Sequence, residues 1–325
     1  MAKRLGLEIG HEATIEDLIK YMKLAEERGF ESAWIPEGYY YQDAITRMAL
    51  LSSITSKIKL ATGIINPYTR SPPLIAMTFA TLDKMSNNRT IFGLGPSLRL
   101  WLYETHRGPA KHVVAIKECI DIFRDLIAGK TVNYDGDVFK VQNVRLGFKP
   151  GRDHIPVYLG VMGPRMLQLA GEIADGVLLT NGATPDYVKF ALENVKIGAE
   201  RRGRDYREID LASLVILSVS EDSEGAKEVT RELVAYLVGL PAFDQILVES
   251  GLKDYEAVTP IRKAVKAGDI REAALYVNDE LVEALTVSGN PKECRHKLEK
   301  FTAAGVNLPV ITPCGDLEMA IKEIY

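Results

Sequence analysis

The sequence predicts an α/β protein, a (β/α)₈ TIM barrel with an inserted β-hairpin and a helical insertion before the last strand. The barrel is predicted by the alternation of apolar and amphipathic segments and by the number of strand-length runs, and the insertions by the two places where this alternation stops. Short apolar runs alternate with longer amphipathic segments from the first residues on, which is typical of successive βα units and a largely parallel sheet. Eight of these runs have the length of a strand, the number that a closed barrel needs. The alternation is interrupted in two places.

The eight predicted strands are short apolar runs at 5–9, 32–36, 58–65, 90–95, 156–159, 176–179, 211–219 and 308–312. The predicted helices that alternate with them lie at 15–28, 43–53, 73–85, 113–127, 165–173, 185–201, 291–304 and from 316 onward. The first helix shows the reasoning. Thr14 is a suitable N-cap, Gly29 a suitable stop, and one face carries Leu18, Ile19, Met22 and Ala25.

Both interruptions have their own signature. Segments 131–134 and 138–141 flank Asp135-Gly136-Asp137, which predicts a hairpin with a glycine able to adopt a positive φ in its turn. Residues 223–285 are almost wholly helical in pattern, and their apolar helices fit either a homodimer contact or a lid. We therefore expect one domain over residues 1–325, with insertions at about 130–145 and 223–285. A doubly wound open sheet would show the same alternation, because barrel closure leaves no mark in a sequence.

Composition limits the function. The 325 residues are 46% hydrophobic and carry 40 basic and 44 acidic side chains, a net charge of −4. Such a balance lacks the basic surface that nucleic acid requires. Apolar stretches such as 211–219 are far shorter than the roughly 20 residues of a membrane span, and the N-terminus lacks a signal-peptide pattern. We expect a cytoplasmic protein that binds neither nucleic acid nor membrane.

Metal and disulfide chemistry have little support. The three cysteines are widely spaced without a CxxC pair, which predicts neither a disulfide framework nor a metal site. The five histidines are scattered, and we expect them at the surface or in indirect roles: His11, His106, His112, His154 and His296.

In a parallel barrel the active site lies where the strands end. Glu8 is a carboxylate within an apolar first strand, and partial desolvation there would raise its pKa toward the range of a general acid. A salt bridge at the barrel mouth is the alternative role for Glu8.

Two loops are candidate binding segments. Glu37 and the tyrosines that begin at Tyr39 follow the second strand, where they could line an aromatic-ring pocket, the barrel rim or an oligomer contact. Residues 160–163 lead directly into a helix whose free N–H groups could hold a phosphate, although a simple βα turn would look the same. The run 93–98 is not a dinucleotide-binding GxGxxG motif, because its last residue is Leu98.

Several segments resemble the bacterial luciferase-like superfamily, particularly its deazaflavin-dependent branch typified by methylenetetrahydromethanopterin reductase. The similar segments are ATGIINPYTRSPP at 61–73, FGLGP at 92–96, PVYLG at 156–160 and LAGEIADGV at 169–177. The resemblance implies a TIM barrel in which coenzyme F-420, an 8-hydroxy-5-deazaflavin, exchanges hydride with a bound substrate.

The resemblance also implies roles for particular residues. A non-prolyl cis peptide between Gly63 and Ile64 would support the back of the deazaflavin ring. The ring would be bordered by Gly95, Pro96 and Ser97. The coenzyme phosphate would be held by Gly160, Val161, Met162 and Gly163.

The segment after the second strand departs from the family pattern. Related deazaflavin enzymes commonly have Asp-His there, whereas this chain has Glu37-Gly38. Glu37 could replace the acid, but no imidazole follows it, so Glu8 becomes the preferred group for handling the proton. A methylene-tetrahydropterin is the expected substrate class, and an alcohol, sugar phosphate or imine would also fit. The alternatives are a monooxygenase dependent on flavin mononucleotide (FMN) and a non-catalytic deazaflavin-binding protein, and we expect a homo-oligomer, a dimer or tetramer.

Overall fold

A computed structural model of the chain describes residues 4–38, 40–96, 111–253 and 255–324. Eleven strands occur in these ranges: β1 Gly6–Glu8, β2 Ser32–Ile35, β3 Lys59–Thr62, β4 Thr90–Leu94, β5 Val132–Asp135, β6 Lys140–Val144, β7 Val157–Gly160, β8 Gly176–Leu179, β9 Asp210–Val219, β10 Val287–Gly289 and β11 Leu308–Pro313. Eight of them form a closed parallel ring in the order β1-β2-β3-β4-β7-β8-β9-β11, and β11 pairs back to β1. The predicted barrel is confirmed, and the open-sheet alternative is wrong.

The helices lie where the amphipathic segments predict them. They are α1 Ile15–Glu27, α2 Ala44–Ile54, α3 Pro72–Met85, α4 His112–Ile127, α5 Pro164–Ile173, α6 Pro185–Arg201, α7 Ser223–Glu228, α8 Arg231–Gly239, α9 Asp244–Glu249, α10 Val258–Lys266, α11 Ile270–Leu275, α12 Asp279–Leu285, α13 Pro291–Ala304 and α14 Leu317–Ile324. The Thr14 hydroxyl accepts a hydrogen bond from the Asp17 N–H at 3.1 Å, which confirms this residue as the N-cap of α1.

Apolar side chains fill both layers of the barrel. The interior holds Trp34, Ala61, Ile91, Tyr158, Leu178, Ala212, Leu214, Leu308 and Val310. Between the strands and the surrounding helices, Phe92 of β4 packs against Phe79 of α3 and Phe123 of α4, with ring centroids 4.8 and 4.5 Å apart. The alternation of inward and outward side chains along each strand produces these two cores.

Ion pairs close the N-terminal end of the barrel. Arg4 donates to Glu31 at 2.6 Å and to Asp210 at 2.7 Å, and Tyr158 also donates to Asp210 from inside the barrel. These side chains lie across the end of the barrel opposite the one where the strands end.

The predicted hairpin is present as β5 and β6, but its turn works differently from the prediction. Gly136 does not adopt a positive φ. Instead, the buried Glu118 carboxylate of α4 accepts hydrogen bonds from the N–H groups of Asp137, Val138 and Phe139. A Cβ on Gly136 would lie 2.5 Å from that carboxylate, so this glycine leaves room for the carboxylate that holds the turn.

The helical insertion is confirmed as α7 to α12. It packs on the start of α6, where the hydroxyl of the N-cap Thr184 lies 2.7 Å from that of Ser250, and Tyr236 of α8 is near Tyr41. The short strand β10 follows the insertion and pairs with the end of β9, outside the ring. The sequence did not predict β10, because Val287-Ser288-Gly289 contains a single apolar side chain and so shows no apolar run.

Within the described ranges, no helix is long and apolar enough to cross a membrane. The same ranges contain no group of three or more His, Cys, Asp or Glu side chains placed to hold a metal ion.

An unusually close approach of β3 and β4 positions the strand ends. The Thr62 hydroxyl donates to the Gly93 carbonyl at 2.8 Å and accepts from the Gly93 N–H at 3.0 Å. A Cβ on Gly93 would lie only 1.7 Å from the Thr62 carbonyl oxygen. Only glycine permits this contact.

We expect Gly93→Ala to force β3 and β4 apart and to lower the free energy of unfolding by about 3 kcal/mol, the upper range for an overpacked core. Urea denaturation measures the loss. Gly147→Ala is the control, because Gly147 is exposed with no atom within 4 Å of an added Cβ, and it should change stability by less than about 0.5 kcal/mol. Equal free energies of unfolding for the two variants would show that the close approach of β3 and β4 does not require a glycine at position 93.

Candidate active site

A cavity of about 260 Å³ lies at the end of the barrel where the strands end. Its lining is mostly apolar, with a few polar groups, which is the usual character of a small-molecule site. The lining residues are His11, Pro36, Glu37, Gly63, Ile64, Pro96, Gly160, Val161, Met162, Leu178, Thr180 and Leu214. Two surface depressions of about 870 Å³ are larger, but neither contains a residue predicted to belong to the site.

Seven of the predicted cofactor-binding residues line this cavity: Glu37, Gly63, Ile64, Pro96, Gly160, Val161 and Met162. Gly95 and Gly163 are adjacent to it without lining it, and Tyr39 and Ser97 lie outside the described residues. The structure thus brings together segments that are about 100 residues apart in the chain.

The floor of the cavity is formed by the ends of β3, β4 and β7. A cis peptide bond joins Gly63 to Ile64, as the resemblance implied. The Ile64 side chain packs so closely against Gly95 and Gly160 that an added Cβ would lie 2.1 and 2.7 Å from it, respectively. Gly95 therefore supports the floor from behind.

The segment after β7 leads into α5 with free backbone N–H groups. The N-cap of α5 is Gly163, which has no side chain to cap the first N–H groups of the helix. Pro164 takes the first helical position. The Tyr187 hydroxyl donates to the Met162 carbonyl at 2.7 Å and so fixes this segment against α6. An anion at this helix start would be favoured.

Glu37 is held in an ion pair at the cavity wall. Its carboxylate accepts from Arg70 Nε at 3.2 Å and from the Ala44 N–H at the start of α2, also at 3.2 Å. Arg70 also binds Asp43, the N-cap of α2. Glu37 thus joins the cavity wall to α2 and Arg70.

Glu8 lies in the barrel interior beside the cavity and does not line it. The side chain is 6% exposed, and its carboxylate accepts from the Thr312 hydroxyl at 2.7 Å. Desolvation raises the pKa of Glu8 to about 7, while hydrogen bonds from Thr312 and Asn181 oppose the rise. Asn181 follows the lining residue Thr180, so the carboxyl is one hydrogen bond from the cavity wall.

His11 is a cavity residue that sequence reasoning missed. Its ring stacks on Tyr41 at a centroid distance of 4.8 Å, and a Cβ on Gly38 would lie 2.8 Å from its Nε2. Desolvation lowers the pKa of His11, which favours the neutral imidazole. An imidazole thus packs against Gly38, beside Glu37, although none follows Glu37 in the chain. Its position three residues after Glu8, at a strand end, was the available signal.

The comparisons with known proteins identify the class. The pattern of the luciferase-like monooxygenase family matches residues 2–308, so the chain belongs to that family. It is 34% identical to a 5,10-methylenetetrahydromethanopterin reductase of Methanolobus tindarius, over 98% of this chain and 97% of that protein. A reductase of the same name from Archaeoglobus fulgidus is 33% identical, over 93% of this chain and 91% of that protein.

Solved structures agree with this assignment. The coenzyme F420-dependent tetrahydromethanopterin reductase of Methanopyrus kandleri superposes with a TM-score of 0.90 at 32% identity, over 98% of this chain and 96% of that one. An F420-dependent secondary alcohol dehydrogenase matches with a TM-score of 0.82 at 23% identity, which shows the shared fold.

The burial of Glu8 has a measurable cost. Between its ordinary pKa of 4.5 and about 7, the folded protein keeps a proton that the unfolded chain releases, so stability falls as pH rises through this window. At about 1.4 kcal/mol per pKa unit the loss is on the order of 3 kcal/mol. We expect Glu8→Gln, which cannot ionise, to be stabilised relative to wild type by that amount more at pH 8 than at pH 4.

Urea denaturation at both pH values tests this expectation. Glu16→Gln, an exposed change in the first turn of α1, serves as the control, and its difference from wild type should change by less than about 1 kcal/mol between the two pH values. Parallel stability curves for Glu8→Gln and wild type would show that Glu8 ionises normally in the folded protein.

Proposed function

We propose that this chain is a coenzyme F-420-dependent oxidoreductase that transfers hydride between the reduced deazaflavin and a small substrate, a methylene-tetrahydromethanopterin-type pterin. The observation that carries the proposal is the cavity itself. In a chain about one-third identical to reductases of that name, an apolar slot at the barrel mouth adjoins both a free helix N-terminus and a buried carboxyl.

The residues present fit a flat ring with a phosphate-bearing tail. Ile64, Leu178 and Leu214 provide apolar surface for the ring. The backbone from Gly160 to Gly163 offers N–H groups for the phosphate at the start of α5. When bound, the deazaflavin supplies the hydride, because the cofactor carries the redox chemistry.

Side chains of the protein orient the ring and supply a proton to the substrate. Ile64 supports the ring from the cavity floor, and the ion-paired Glu37 with His11 forms the polar wall. Glu8 is about half protonated at pH 7 because it is desolvated, and its partner Asn181 adjoins the cavity wall, so it can supply the proton that a basic nitrogen of the substrate takes up. The Thr312 and Asn181 side chains hold the carboxyl in place.

We also propose that the chain forms one domain and works as a homo-oligomer, a dimer or tetramer, in the cytoplasm. The support for oligomerisation is an exposed apolar stripe on one side of α3, formed by Leu74, Met77 and Met85. Sedimentation of the purified protein measures the oligomer size.

The first experiment is a titration of the purified protein with coenzyme F-420 and, separately, with FMN, followed by absorbance and fluorescence. We expect saturable binding of F-420 and none of FMN at the same concentrations. Turnover with methylene-tetrahydromethanopterin should follow. Preference for FMN would assign the chain to the monooxygenases, and F-420 binding without turnover of any substrate would indicate a binding protein.

Glu8→Gln tests the proton donor. We expect kcat to fall by roughly 10²-fold with coenzyme affinity nearly unchanged, because the amide cannot give up a proton. Steady-state kinetics and the same fluorescence titration measure the two quantities. Glu16→Gln should leave both at the wild-type level, and an unchanged kcat for Glu8→Gln would remove Glu8 from the mechanism.

A further inference from the structure

Unsatisfied polar atoms are concentrated around Glu8. Five buried side-chain nitrogen and oxygen atoms lack a hydrogen-bond partner in the described part of the chain, and four of them belong to His11, Arg47 and Asn181. Buried polar groups are nearly always paired, so such a cluster calls for a reason. All three residues share an interaction with Glu8 or with the segment that follows it.

Arg47 is the most unusual member of this cluster. It lies in α2 with only 2% of its surface exposed. Its Nη2 donates to the Gly10 carbonyl at 3.0 Å and lies 3.5 Å from the Ile9 carbonyl, which places the guanidinium against the segment between Glu8 and His11. Its Nε and Nη1 have no acceptor among the described residues.

A buried guanidinium is costly unless an anion compensates it. No carboxylate of the described residues forms a salt bridge with Arg47, and the acidic groups that act on it through space are Glu12 and Glu8. Glu12 is exposed, so water screens its charge. Glu8 is buried, so its charge, when present, is the one of the two that water screens least.

We propose that Arg47 is a positioning residue for the acid: its guanidinium stabilises the Glu8 carboxylate that remains after the carboxyl proton has passed to the substrate. This inference rests on the proposed function. The O–H bond of Glu8 breaks, the proton goes to a basic substrate nitrogen, and the electron pair stays on the carboxylate. Solvent returns the proton in the next cycle.

The donors around Glu8 fit this role. The carboxyl already accepts from Thr312 of β11 and interacts with Asn181 after β8, while Glu12 repels and Arg47 attracts its negative charge. Among the described residues, Arg47 is the buried cation that acts on this carboxylate, and its Nε and Nη1 have no acceptor there. Without Arg47, desolvation would act on the carboxylate with only neutral donors and an exposed like charge nearby.

The test is a direct titration of Glu8 in the protein without coenzyme. Protein labelled with ¹³C at the glutamate carboxyl carbon is titrated by NMR, and the Glu8 resonance is identified by its absence from Glu8→Gln. We expect Arg47→Met to raise the pKa of Glu8 by on the order of one unit, because it removes a nearby positive charge. Arg47→Lys keeps the charge and should titrate close to wild type.

Arg89→Met is the matched control. Arg89 is also a partly buried arginine, but it lies at the other end of the barrel, and its donors are satisfied by the carbonyls of Ser86, Ile58 and Thr55. Its loss should destabilise the protein without moving the pKa of Glu8. If Arg47→Met does not fold, Arg47→Gln removes the charge while keeping a donor for the Gly10 carbonyl.

An unchanged pKa of Glu8 in the uncharged Arg47 variant would overturn the inference, and so would an equal shift in Arg89→Met. In the active enzyme, the decline of kcat at high pH should move upward with the Glu8 pKa. Because the NMR titration needs neither coenzyme nor substrate, a failure of the proposed function leaves its result intact. If the wild-type enzyme turns over substrate but the pKa of Glu8 does not change in the Arg47 variants, only the role of Arg47 is refuted.

Discussion

The site depends on how closely the ends of β3 and β4 approach each other. The reciprocal hydrogen bonds of Thr62 and Gly93 place two backbones at a distance that no side chain on Gly93 would allow. From that contact the chain continues into the Gly63–Ile64 cis bond, and Ile64 fills the space over Gly95 and Gly160. The cavity floor therefore consists of backbone and one aliphatic side chain, a flat surface that suits a planar ring.

Two groups of charged residues in the barrel are held differently. At the N-terminal end, Arg4 is matched by Glu31 and Asp210, so these three charges are paired. At the other end, Glu8 has neutral donors, and Arg47 has only backbone carbonyls. Burying paired charges costs little stability. Burying an unpaired charge costs more, and such groups are kept where catalysis needs a side chain with a shifted pKa. The group around Arg4 therefore closes the barrel, whereas the group around Glu8 keeps a carboxyl with a shifted pKa beside the cavity.

The elements that are several residues long were predictable from the sequence, and the contacts made by single side chains were not. The eight barrel strands and the hairpin follow from periodicity, which repeats often enough to be recognised. Strand β10 was not predicted because it has a single apolar residue, Val287, and its pairing depends on β9, some 70 positions earlier in the chain. The sequence explained Gly136 by the backbone conformation of the turn. The structure shows that a glycine is required there because a side chain would collide with the carboxylate of Glu118, which lies on another element.

The same limit explains why the site was predicted in part. Glycines and strand ends point to the cavity floor, since their positions follow from the fold. Arg47 looked like an ordinary helix residue, because only the tertiary structure shows that it is buried beside Ile9 and Gly10. His11 lacked any motif, and the residue that makes room for its ring is Gly38 in a different loop. Any larger residue at position 38 would displace that ring from the cavity wall. The polar wall is therefore shared by two strand ends, and neither loop specifies it alone.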